Sequence, residues 1–226
     1  MNGELIVVDD VPGAFANEVI AAFKSRHDDL FAFALSGGET ARMCYERLAE
    51  ESTDAIDWLS VNIYWTDERC LPPDHPESNQ LLGRQALLER VGAANAVYPM
   101  NCDEGPDAYQ LRLGEVGKLD VIHLGLGPDG HTASLFPGSE ALDADPGQLV
   151  ARNEDTTGRN TYPRLTLTFS GIARSRLVIF TVAGASKREA LRAVMDGADL
   201  PPNRITADRV LWLVDRAAAP VTYERP

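Results

Sequence analysis

Four short stretches of this chain carry side chains able to do chemistry: Ser36-Gly37-Gly38-Glu39-Thr40, Asp67-Glu68-Arg69, Asp129-Gly130-His131 and Ser186-Lys187. Arginine offers a planar fork of donors that stays charged and lysine a compact ammonium, so Arg69 and Lys187 suit an anion such as phosphate. Two glycines between hydroxyls at a helix start expose backbone N–H groups and the positive end of the helix dipole, a second way to hold an anion. Capping of that helix by Ser36 or Thr40 is the purely structural reading of the same residues. The stretch lacks the lysine of G-x-x-x-x-G-K-[ST], so it is not a nucleotide P-loop. A histidine titrates near neutrality. With Asp129 beside it and no G-x-S-x-G elbow or other evident nucleophile in the chain, His131 suits a general base that activates water.

Each stretch lies where an apolar run ends. Residues 121–124 read as a buried strand that breaks into Gly125-Leu126-Gly127-Pro128-Asp129-Gly130 and delivers His131 at the start of a short helical turn. This matches G-x-G-x-x-G, but Pro137 and Gly138 stop any long helix and residues 141–147 read as loop, so dinucleotide binding is not expected. Further strands are read at 5–8, 30–35, 60–65, 177–182 and 210–214, a short one at 97–100, and edge strands at 149–152 and 165–168. The turn Asp9-Asp10-Val11-Pro12 leads into a helix running to about His27, and further helices follow Ser36–Thr40 through about Glu50, over 79–91 and 105–117, and from Lys187 to Met195. The segment CLPPDHPESNQ holds three prolines and reads as a stiff loop after Arg69. Strands alternating with helices imply an α/β fold, a single Rossmann-like domain over 1–226. Its sheet is mainly parallel, covered by helices on both faces, with a small antiparallel edge portion. Polar strand ends of a parallel sheet share its carboxyl edge, where ligands bind.

The 226 residues include 21 basic and 34 acidic side chains, a net charge of −13, which argues against nucleic-acid or anionic-membrane partners. A phosphorylated small molecule stays open, because surface charges are screened beyond about 10 Å. Cys44, Cys70 and Cys102 are odd in number and widely spaced, which reads as reduced thiols in a cytoplasmic protein, without a disulfide framework or zinc site. The four histidines show no metal-ligand spacing, so no metal is inferred; His123, inside a buried run, reads as a core histidine. No signal peptide is read and no apolar run approaches the roughly 20 residues of a membrane span. The expectation is a soluble cytoplasmic protein, monomeric or a small homo-oligomer.

LSGGET at 35–40, TDERCLPPDHPESN at 66–79 and GLGPDGHTASLFPG at 125–138, with PRLTLT at 163–168 and GASK at 184–187, resemble the signature blocks of the 6-phosphogluconolactonase family, in family order. The resemblance implies hydrolysis of 6-phosphogluconolactone to 6-phosphogluconate without a cofactor. On that likeness His131 deprotonates the attacking water, and Arg69 and Lys187 hold the phosphate with Ser36, Gly37, Gly38 and Thr40. Asp67 and Asp129 lie near the sugar and the histidine. Glu39 departs from the small polar residue usual there and is expected to point outward. The related glucosamine-6-phosphate deaminases carry a glutamate five residues after the histidine; here that position is Phe136. A non-catalytic sugar-phosphate sensor would keep Arg69 and Lys187 but has no need of His131.

Overall fold

Ten strands form in the computed structural model, which describes residues 1–220; the last six positions of the one-domain reading, 221–226, lie outside the described residues. They are β1 (Glu4–Val8), β2 (Phe31–Leu35), β3 (Val61–Trp65), β4 (Asp67–Arg69), β5 (Ala96–Val97), β6 (Leu119–Gly125), β7 (Val150–Asn153), β8 (Arg164–Leu167), β9 (Ser175–Val182) and β10 (Arg209–Asp215). Seven make one sheet in the order β1-β10-β9-β6-β2-β3-β5, every pair parallel. From β2 the chain moves outward to β3, and from β6 it moves the other way to β9. The strand order therefore reverses between β2 and β6, and such a switch point opens a crevice at the carboxyl ends of the strands.

The alternating Phe and Ala of β2 set its two faces. Phe33 meets Phe15 of helix α1 (Val11–Lys24) and Tyr45 of helix α2 (Glu39–Glu51), with ring centroids 6.4 Å away in each case, while Phe31 meets Phe23 of α1. Asp10 starts α1 by accepting the Gly13 N–H at 3.1 Å. The period over 79–91 is not one regular helix: α3 (Asn79–Gly83) passes through a π turn, Arg84–Leu88, into α4 (Glu89–Val91). Helix α5 (Gly105–Gly114) stops short of Gly117, and the strand read at 97–100 shrinks to Ala96–Val97. Later come α6 (Phe169–Ala173), α7 (Arg188–Met195) and α8 (Pro201–Arg204). No helix among the described residues is long and apolar enough to cross a membrane.

The antiparallel portion is a sheet of its own, β4-β8-β7, and β4 is made of Asp67–Arg69, read from sequence as a loop at a strand end. Thr66 makes the change of sheet: its N–H donates to Leu35 O at 2.8 Å and its carbonyl accepts from the Leu167 N–H at 2.7 Å. The reading of three reduced thiols is corrected. Cys70 and Cys102 form a disulfide, their Cα atoms 5.4 Å apart across a sequence separation of 32. Spacing rules detect short motifs, whereas this pair lies on two separate segments, one just after β4 and one in the loop after β5, that only the fold brings together. Cys44 remains free and buried, and burial pushes its thiol up to about 12, out of reach of ordinary thiol chemistry.

His123 is the core histidine the sequence implies. Its Nδ1 lies 2.9 Å from Tyr45 Oη and its Nε2 lies 2.8 Å from Thr181 Oγ1, and burial pushes its pKa down to about 3. The unfolded chain therefore binds a proton there near pH 6.5 that the folded chain refuses, so this contribution is complete above about pH 6.5 and is lost as pH falls. Urea unfolding followed from pH 7 to pH 4 should show stability falling by up to about 1.4 kcal/mol per pH unit from this group. The slope should be smaller in His123→Asn; equal slopes would overturn the assignment.

Candidate active site

The crevice between β2 and β6 is a cavity of about 610 Å³, and all four chemistry-bearing stretches open onto it. Of the residues singled out from sequence, Ser36, Gly37, Gly38, Thr40, Asp67, Arg69, His131 and Lys187 line the cavity. Asp129 is not on the wall and reaches it through His131.

The His131 loop is built around the absence of a side chain. His131 Nδ1 and Asp129 Oδ1 lie 2.5 Å apart, and the Asp129 carboxylate also accepts the His131 backbone N–H at 3.3 Å. A Cβ on Gly127 would overlap His131 Nδ1 and Asp129 Oδ1, so only glycine leaves room for the pair. Gly127 N–H donates to His131 O at 2.8 Å and closes the loop. Burial, the largest single influence on Asp129, raises its pKa, but the hydrogen bond and charge of His131 together hold it below the usual carboxylate value. An ionised Asp129 accepts a hydrogen bond from Nδ1–H, which leaves the lone pair on Nε2. No helical turn follows His131: residues 132–135 make a tight turn bridged between Thr132 and Leu135, with Ala133 at φ +48°. Phe136 is buried with its ring edge against the imidazole, centroids 5.2 Å apart.

Opposite lies the start of α2. Its N-cap is Gly38, at φ +98°, and no side chain accepts from the first turn, so neither Ser36 nor Thr40 caps the helix. The leading N–H groups of a 13-residue helix thus face the cavity without an internal partner, which favours the anion-cradle reading over the structural one. Glu39 borders the cavity, but its carboxylate is exposed and pairs with Arg42 at 3.3 Å. The Ser36 N–H donates to Tyr45 Oη at 2.6 Å, so the phenol beside His123 also pins the loop from below. Lys187 ends a short 3₁₀ turn before α7 and is half-buried; desolvation lowers its pKa and the charge of nearby Asp129 partly offsets this.

Sequence reasoning singled out Asp67 but placed it near the sugar, and it missed the donors around Asp67 and the supporting part played by Glu68. Asp67 is buried; its Oδ2 accepts from Ser134 Oγ at 2.6 Å and its Oδ1 from Thr66 Oγ1 at 3.2 Å and Asn79 Nδ2 at 3.4 Å. Glu68, also buried, accepts from the N–H groups of Arg69, Asn79 and Gln80 at 2.6, 2.9 and 2.7 Å and from Ser78 Oγ at 3.0 Å. It therefore closes both ends of the proline-rich loop. Arg69 donates through Nη1 to Glu77 O, while its buried Nε has no partner among the described residues. Asn79 fills the space a Cβ on Gly37 would need. Asn79 and Ser134 lie inside the sequence blocks noted above, but nothing in their spacing marks them as supports.

A wholly parallel main sheet with a switch-point crevice, a cationic pair and an open helix start defines an α/β protein with a cavity at its strand ends whose lining suits a small anion. The sequence model of the glucosamine-6-phosphate isomerases and 6-phosphogluconolactonases matches residues 7–212, and the chain belongs to that family. It is 39% identical over 207 residues, 83% of either chain, to the 6-phosphogluconolactonase of Nostoc sp.. Its fold superposes on the crystal structure of 6-phosphogluconolactonase from Thermotoga maritima with a TM-score of 0.81 at 26% identity, covering 94% of this chain and 99% of that one. A monomeric glucosamine-6-phosphate deaminase shares the fold, with a TM-score of 0.79 at 19% identity over 95% of this chain and 98% of that one.

Gly127→Ala should lower kcat by about 10²-fold or more, because the added methyl displaces the histidine–aspartate pair. Gly125→Ala, where a Cβ meets nothing within 4 Å, should cost much less. Steady-state kinetics of the two variants, with circular dichroism for folding, checks this; equal losses would remove the steric argument.

Proposed function

We propose that this protein hydrolyses 6-phosphoglucono-lactone to 6-phosphogluconate, and that the chain acts as one catalytic unit. The observation that carries the reading is the meeting, in one cavity, of an imidazole set by an ionised carboxylate with an arginine, a lysine and an uncapped helix start. The curated relatives at 38–39% identity are named 6-phosphogluconolactonases, which supports the same substrate.

The phosphate is held by Arg69, Lys187 and the Ser36–Gly37–Gly38–Thr40 cradle, which fixes the sugar and turns its carbonyl toward His131. His131 Nε2 takes a proton from water as the oxygen attacks the lactone carbonyl. The tetrahedral intermediate then collapses, the ring C–O bond breaks, and the departing ring oxygen recovers the proton from the imidazolium. A lactone is an activated ester whose leaving group stays tethered, so general-base help worth about 10²–10⁴-fold is an adequate contribution. Asp129 sets the tautomer. Asp67 serves as a positioning residue, since its oxygens already accept from Ser134, Thr66 and Asn79.

A deaminase reading lacks a proton carrier where Phe136 stands, and a sensor reading leaves the histidine–aspartate pair without a task. Fresh lactone followed by acid release should give turnover well above the spontaneous rate, and glucosamine 6-phosphate should give no ammonia. His131→Ala should lower kcat by about 10²–10⁴-fold with KM little changed, and Arg69→Ala should mainly raise KM. Acid release at the spontaneous rate in the wild type would sink the proposal.

A further inference from the structure

Arg69 borders two cavities. Beyond it, away from His131, lies a second space of about 620 Å³ walled by the start of the proline-rich loop, the segment 99–104 and Arg112, and both halves of the Cys70–Cys102 disulfide line it. Cys70 is bonded directly to Arg69 in the chain. Cys102 belongs to the loop after β5, and its carbonyl is held at 2.8 Å by Arg152 of β7. The disulfide is thus a covalent strut from the residue after Arg69 to the loop after β5, which a single exposed hydrogen bond ties on to β7.

What else restrains the loop beyond Cys70 is weak. Pro72, Pro73, Asp74, Pro76 and Glu77 are exposed, and the contacts from Arg69 Nη1 to Glu77 O and from Tyr162 Oη to Glu77 Oε2 both lie at the surface. Exposed hydrogen bonds of this kind compete with water and add little to rigidity. The well-buried restraint, Glu68, acts on the Arg69 backbone and on Ser78, Asn79 and Gln80, and the Cys70 N–H donates to Pro163 O at 2.8 Å. Between these points the loop has turn hydrogen bonds of its own, such as His75 N–H to Pro72 O at 2.9 Å, and the strut at its start. Both cysteines are half-buried and face a cavity wide enough for a small dithiol, unlike Cys44, which is fully enclosed.

We propose that Cys70–Cys102 is a thiol–disulfide exchange site that tunes phosphate binding through Arg69. A dithiol reductant supplies the electrons. One of its thiolates attacks a sulfur of the pair, the S–S bond breaks and a mixed disulfide forms. The second reductant thiol then resolves it, so that Cys70 and Cys102 gain two electrons and two protons and the reductant leaves as its own disulfide. Freed of the strut, the loop and the Arg69 side chain spread over more conformations, and the phosphate must order them on binding. The chemistry at His131 is untouched. The inference rests on the reading of Arg69 as a phosphate ligand, and the controls separate the two.

The test compares the oxidised protein, the protein reduced with a dithiol, and Cys102→Ser and Cys70→Ser. Thiols counted after denaturation should rise from one to three on reduction. KM for the lactone should rise by about fivefold or more, the low end of coupling between linked sites, with kcat within about twofold, and should recover on reoxidation. Cys102→Ser should show the raised KM and no response to reductant. Binding of inorganic phosphate by calorimetry should weaken in parallel. An unchanged KM after reduction to three thiols, or three thiols in protein exposed to oxidant, overturns the exchange site. Arg69→Ala with unchanged KM would instead overturn the reading of Arg69, and with it the route from the disulfide to binding.

Discussion

Two adjacent buried carboxylates, Asp67 and Glu68, hold the cavity in shape. A carboxylate removed from water costs several kcal/mol unless donors replace the lost solvation. Here the donors come from other parts of the chain: Ser134 from the histidine loop, Asn79 and Gln80 from the start of α3, and Ser78 from the end of the proline-rich loop. Satisfying the two charges therefore requires three segments to meet. Desolvation raises the Glu68 pKa against the pull of its backbone donors, and the neighbouring Asp67 raises it further. Arg164, buried on the paired strand, supplies compensating positive charge, and its own pKa is lowered mainly by burial.

This arrangement explains why the glycines fall where they do. Gly37 yields its Cβ space to Asn79, the residue that also donates to Asp67, so the anion cradle and the carboxylate support lock together. Gly127 yields its space to the imidazole and its carboxylate. From beneath, Tyr45, His123 and Thr181 connect the ends of β2, β6 and β9 by hydrogen bonds in the core. The wall of the cavity is thus set by buried polar networks rather than by the apolar core alone, and satisfied networks of this kind specify one geometry.

The sequence made the fold class and the four polar strand ends legible, because both follow from local rules: apolar runs of strand length, helical period, glycine turns at run ends. The convergence of Arg69, Lys187 and His131 followed from the parallel sheet, since parallel strands send their carboxyl ends to one edge. What escaped was non-local. Nothing around Asp67–Arg69 announces a strand, because its partner β8 lies about a hundred residues away and the pairing depends on Thr66 turning out of the main sheet. The Cys70–Cys102 link escaped for the same reason, and so did the role of Glu68, whose donors lie ten to twelve positions on. The helical turn after His131 failed on a local point: the Thr132–Leu135 bridge, with Ala133 at positive φ, reverses the chain instead.

For a chain with a net charge of −13, the proposed binding of a dianionic phosphate needs cations that are concentrated, not numerous. Screening confines surface charge to about 10 Å, so the acidic exterior does little at the cradle. What matters is the balance inside the cavity, where desolvation strengthens each surviving interaction. Lys187 sits half-buried at the start of α7, where the helix dipole opposes a positive charge and burial lowers its pKa. Asp129 relieves part of that cost, yet its charge is already engaged by His131. An ammonium placed against the dipole with only a shared counter-charge is poorly matched until an anion enters. The same carboxylate that orients the imidazole thus also acts on the lysine, so in the proposed mechanism phosphate at one end of the cavity and proton transfer at the other would be linked through Asp129.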